Sequence, residues 1–64
     1  MNNIDHIIRE ARAAGRCFEL ARNTMRYARR HQDDKQFVST MVRYAREMNR
    51  LGVYNLQLAR KWLS

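Results

Sequence analysis

The sequence contains no proline, only two glycines and a single cysteine among its 64 residues. Without proline, no imide ring interrupts or kinks a helix. With one thiol, Cys17, no disulfide can close within the chain. A lone thiol fits a reducing compartment, so a cytoplasmic location is expected. Long apolar runs are missing too. Nothing approaches the roughly 18 apolar residues of a membrane span. Met1 to His6 lacks the basic region and apolar stretch of a signal peptide. Acid is scarce: six Asp and Glu stand against 13 Lys and Arg, for a net charge of +7. A chain this short makes one domain, 1–64, and buries little of its own surface, so lacking a staple it needs a partner.

Catalytic and metal-binding patterns are also absent. His6, Cys17 and His31 lie 11 and 14 residues apart, roughly 16 and 21 Å along a helix, too far to share one ion. There is no glycine-rich phosphate loop, no pair of carboxylates in a cleft, and no serine in a strained turn, the serines being Ser39 and Ser64. The expectation is a protein that is not an enzyme and needs no metal or cofactor. His6 and His31 read as helix-end residues and Cys17 as a small core or interface residue.

What is present favours helix: Ala, Arg, Leu and Met are abundant. Ile4, Ile7, Ala11, Ala14, Phe18, Ala21, Met25 and Ala28 recur in steps of three and four, an unbroken heptad seam. Val38, Met41, Ala45, Met48, Gly52, Asn55, Ala59 and Trp62 repeat the spacing. Between them, Asp33 or Asp34 can cap a second helix, with Gln36 placed for a capping box after Asp33. The expected fold is therefore all-α: a helix over about 3–31, a turn over about 31–34 and a helix over about 34–63, packed as an antiparallel hairpin. A turn centred near Gln32 and Asp33 sets Phe18 opposite Met48, Ala14 opposite Leu51 and Gly52, and Ile4 opposite Trp62. Gly52 costs roughly 1 kcal/mol in mid-helix, which makes sense where a neighbouring helix needs the space; a helix break at Leu51-Gly52-Val53 is the alternative.

One seam does not use all the apolar residues. Ala13, Cys17, Leu20, Thr24 and Tyr27 make a second stripe on the first helix; Phe37, Tyr44, Leu51 and Leu58 recur every seven residues on the second. Two seams per helix predict two neighbours per helix, supplied economically by a two-fold homodimer forming a four-helix bundle. Cys17, Leu20, Tyr27, Phe37, Tyr44, Leu51 and Leu58 are the candidate dimer contacts. The alternative is that this stripe awaits a different protein.

Arginine dominates the polar sides. Arg9, Arg12, Arg16, Arg26 and Arg30 lie opposite the first seam, interrupted by Glu19, and Arg43, Arg46 and Arg50 mark the second helix. Like charges at i,i+4, such as Arg12 with Arg16 and Arg46 with Arg50, repel mildly, and bound phosphate or carboxylate would relieve the repulsion. Nucleic-acid phosphates are the first expectation, and an acidic protein partner the second. Tyr54 is a candidate for stacking on a base. The tetrapeptide Arg-Tyr-Ala-Arg occurs at 26–29 and 43–46; it reads either as coincidence in a chain with five Ala-Arg dipeptides or as two similar anchors. A membrane-surface role fits less well, because the stripes are rich in alanine.

In length and layout the chain resembles the small helical-hairpin dimers that bind paired RNA loops. In size, basicity and helical pattern it looks like the small accessory proteins of temperate phages. That resemblance implies a regulator acting on host or phage machinery, in the cytoplasm of a bacterial host, and assigns no role to any single residue.

Overall fold

The computed structural model describes residues 3–63; Met1, Asn2 and Ser64, which entered the sequence reading, lie outside it. Two helices account for nearly all of this span: α1, Asn3–Arg30, and α2, Lys35–Lys61. They pack against each other as a hairpin of 50 × 13 × 12 Å. The ends lie within two residues of those expected.

The turn is held by its own backbone. His31 N–H donates to Ala28 O at 3.1 Å, and Asp34 N–H donates to His31 O at 3.0 Å. Asp34, in extended conformation, is the N-cap of α2, and its Oδ1 accepts from Phe37 N–H at 3.1 Å. The third helical position is thus Phe37, so the capping box between Asp33 and Gln36 does not form.

The core is built from the smallest side chains. Ala14, Ala21 and Ala28 of α1, and Ala45, Gly52 and Ala59 of α2, are the buried residues of the two helices. Each set repeats every seven residues, and no large side chain is fully buried among the described residues. Such a seam lets the two backbones approach closely.

α2 is continuous through Gly52, which has no positive φ, so the helix-break alternative falls away. The glycine is there to admit a ring. A Cβ built on it would lie 2.6 Å from Phe18 Cε1 and 2.8 Å from Phe18 Cζ. Phe18 therefore covers Gly52, the position that the count set opposite Ala14. Side chains lean toward the N-terminus of their own helix, so in an antiparallel pair contacting residues shift away from the register counted on Cα atoms.

On α2 the inward row is the predicted one: Val38, Met41, Met48 and Asn55 are half-buried beside the buried positions, and Trp62 at the end keeps 39 % of its surface exposed. On α1 one of the two seam rows is corrected in part. Phe18 is half-buried and packs on Gly52 as a seam residue, but Ile4, Ala11 and Met25 are exposed, and Glu10, Cys17 and Thr24 are half-buried instead. Both rows flank the alanine row, and the heptad does not distinguish them. Bulk does. α2 brings Met41, Met48 and Asn55 inward on that side, and the small Cys17 and Thr24 leave room for them.

Two aromatic contacts close the ends. His6 stacks on Trp62, with ring centroids 4.1 Å apart and planes 11° apart. This replaces the expected pairing of Ile4 with Trp62. At the turn, Tyr27, His31 and Phe37 form a triangle with centroids 4.9, 5.2 and 5.6 Å apart.

Candidate functional site

Successive helical residues turn by about 100°, so a residue two positions from a buried alanine points about 160° away from the other helix. Arg12 stands two before Ala14, and Arg43 two before Ala45. Arg26 stands two before Ala28, and Arg50 two before Gly52. These arginines therefore occupy the outer backs of the rod. The α1 row and the α2 row face in opposite directions, and no single groove of the hairpin collects them all.

Within α1 the structure does gather part of the row. Arg9, Arg12 and Arg16 line an open cleft of about 370 Å³ together with Asp5 and Ile8. Three guanidinium groups face one carboxylate there. Arg9 Nη2 also lies 2.9 Å from His6 Nδ1, so the guanidinium donates to the imidazole and is steadied at the cleft's edge. Arg26 and Arg30 lie a further three to four turns along α1, beyond Glu19 and Asn23.

On α2, Arg50 Nη1 pairs with Glu47 Oε2 at 3.2 Å, both side chains being well exposed. An ion pair so wet contributes little to stability. Among the described residues, Arg12, Arg16, Arg26, Arg30, Arg43 and Arg46 form no ion pair. The basic surface is not neutralised from within.

Apart from Ile8 in the arginine cleft and Tyr54 on the α2 back, most apolar residues that remain exposed fall on the two long sides of the rod, between the arginine backs. One side, the Tyr27 face, carries Leu20, Tyr27, Tyr44 and Leu51 exposed, with Phe37 and Leu58 half-buried. These are six of the seven candidate dimer contacts. The seventh, Cys17, is turned into the hairpin's own seam, where Asn55 Nδ2 donates to its Sγ at 3.9 Å. Tyr54, two after Gly52, stands on the α2 back, exposed as expected. Both copies of Arg-Tyr-Ala-Arg have one layout: first Arg on the back, Tyr on the Tyr27 face, Ala buried. The other long side, the Phe18 face, escaped the sequence reading. It exposes Ile4, Met25, Leu56 and Leu63 around half-buried Phe18 and Val42. Its α1 half is the row that the heptad assigns to the inner seam.

His6, Cys17 and His31 do not come together, and no group of three or more His, Cys, Asp or Glu among the described residues could hold a metal ion. Among the described residues, no helix is long and apolar enough to cross a membrane. No protein family, curated protein or solved structure matches the chain.

Proposed function

We propose that this chain is a small, non-enzymatic binding protein that pairs with a second copy through its Tyr27 face and uses its arginine backs to bind nucleic-acid phosphates. The observation that carries the second half is the cleft of Arg9, Arg12 and Arg16, three guanidiniums against one carboxylate on a surface without internal neutralisation. Guanidinium forks match phosphate oxygens, and affinity would come chiefly from released counterions, with little sequence preference. In a dimer each α1 back would offer one such row. The size, basicity and hairpin layout it shares with phage accessory proteins fit a regulatory role in a bacterial cytoplasm.

The dimer is motivated by the core. Six buried residues, all Ala or Gly, are little to hold 64 residues folded. A rod 50 Å long and 12–13 Å wide offers roughly 600 Å² per copy on one long side, about 1,200 Å² for the pair, at the lower end of stable interfaces.

The test is a titration of the protein into labelled duplex DNA and structured RNA at two salt concentrations. The expected result is micromolar or tighter binding that falls steeply with salt, the slope counting the phosphates neutralised. No binding at low salt would remove the reading and turn attention to an acidic protein as the ligand of the same arginines.

A further inference from the structure

The Phe18 face is used neither by the phosphate reading nor by the Tyr27-face dimer. Its floor is apolar apart from Asn49 at mid-length: Ile4, Phe18 and Met25 from α1, Val42, Leu56 and Leu63 from α2. Leu63 is 73 % and Ile4 57 % exposed. Its shoulders are set by a recurring dipeptide. Ala-Arg occurs five times, and in four of these the alanine is a buried seam residue: Ala21, Ala28, Ala45 and Ala59. One residue on, about 100° around the helix, Arg22, Arg29, Arg46 and Arg60 stand on the two shoulders of the Phe18 face. What reads in the sequence as composition is, in the fold, two flanking rows of arginine. No acidic residue shares floor or shoulders: Asp5 and Glu19 are on the α1 back, Glu10 in the seam, Glu47 on the α2 back beside Arg50 and the turn acids Asp33 and Asp34 beyond the helices.

This charge pattern selects the occupant. A second copy laid face to face would set these arginines against their own kind, a like-charge contact that suppresses the pairing. Nucleic acid would satisfy the arginines but leave the aliphatic floor against sugars and phosphates. We propose that the Phe18 face is a docking groove for an amphipathic helix of a partner protein, apolar along one stripe and carrying Asp or Glu on both flanks. The floor runs from Ile4 to Met25, about 31 Å at 1.5 Å per residue, which accommodates some six turns of helix. Docking would follow the helix-in-groove mode, with leucine-type anchors on the floor and carboxylates answering Arg22 and Arg29 on one side and Arg46 and Arg60 on the other.

The experiment uses the full chain and two labelled peptides of 21 residues, both helical with leucine at heptad positions a and d, one with Glu and the other with Lys at the flanking positions. The Glu peptide is expected to bind at micromolar concentration. The Lys peptide, the variant Leu56→Ser and the double variant Arg22→Glu/Arg46→Glu should each weaken binding about tenfold or more, the size of effect an anchoring contact gives. Leu51→Ser, on the Tyr27 face, should leave it unchanged. Reversal of Arg9, Arg12 and Arg16 should weaken nucleic-acid binding while sparing the peptide, so the two readings fail separately. Equal binding of both peptides, or no effect of either Phe18-face variant, would overturn the proposal. So would loss of self-association in Leu56→Ser but not in Leu51→Ser, which would make the occupant a second copy. Binding to phosphatidylserine vesicles that Leu56→Ser abolishes, without peptide binding, would make it a lipid surface.

Discussion

At the scale of single residues, the two glycines share a helical setting and have opposite roles. Gly15 has open space where a Cβ would stand, whereas Gly52 has the ring of Phe18 there. Gly15→Ala should therefore stabilise the fold by about 0.5–1 kcal/mol, the helix-propensity difference alone. Gly52→Ala gains the same propensity but drives the Phe18 ring off its seat. Overpacking of this kind costs about 1–3 kcal/mol, so a net loss near 1 kcal/mol is expected. In a Phe18→Ala background the sign should reverse, and Gly52→Ala should stabilise by about 1 kcal/mol. Urea unfolding followed by circular dichroism reads all of these; an unchanged sign in the double variant would mean that the ring is not what the glycine accommodates. Asp34 gives a second residue-level expectation. Its side chain satisfies the N–H of Phe37, and Asp34→Ala should cost about 1 kcal/mol, with Asp33→Ala close to neutral.

At the scale of the element, each helix has four sides with three chemistries. The seam of α1 is Ala14, Ala21 and Ala28; its back is arginine; its two flanks are apolar. The seven-residue repeat was legible in the sequence, and so were the arginine backs, because each depends only on the turn per residue. Which of two flanking rows faces the partner helix was not legible, because Ile4, Ala11, Phe18 and Met25 are more apolar than Glu10, Cys17 and Thr24, so polarity alone points to the row that stays mostly exposed. The choice went to the row holding Cys17 and Thr24 because small residues on α1 accept the methionines of α2. The test at this scale concerns the α1 back. Replacing Arg9, Arg12 and Arg16 by glutamate should leave helicity intact and lower duplex affinity at moderate salt. The slope of log affinity against log salt should fall by about one for each phosphate no longer neutralised. The same reversal at Arg43 and Arg50 should act separately, since those side chains lie on the opposite back. Coupling between the two sets would mean that one ligand spans both.

At the scale of the whole molecule, a hairpin 50 Å long with a core of alanine and glycine exposes many large apolar side chains: Leu20, Tyr27, Tyr44 and Leu51 on one face, Ile4, Met25, Leu56 and Leu63 on the other. If the Tyr27 face pairs two copies, the melting temperature should rise with protein concentration, and Tyr27→Ser/Leu51→Ser should yield a monomer by sedimentation with a fold less stable than the parent's. A concentration-independent melting curve for the parent chain would refute the dimer. The orientation of such a dimer has its own readout: Gln32→Cys in a Cys17→Ala background should cross-link between copies on oxidation where both turns lie at one end, and should not where they lie at opposite ends, about a rod's length apart.

The sequence by itself determined the secondary structure and the two arginine backs. No proline, abundant helix formers, a capping aspartate and a seven-residue spacing leave a short basic chain little choice but two helices and a turn, and the period of the helix carries every charge to its side. Only the tertiary structure decided the register and the sides. That Phe18 sits on Gly52, that Cys17 turns inward to Asn55, that Trp62 stacks on His6, and that Ala-Arg dipeptides line an apolar groove all depend on how one helix rolls against the other. That roll is set by the fit of large side chains over small ones between residues distant in the chain, which a periodic pattern read along one helix does not contain.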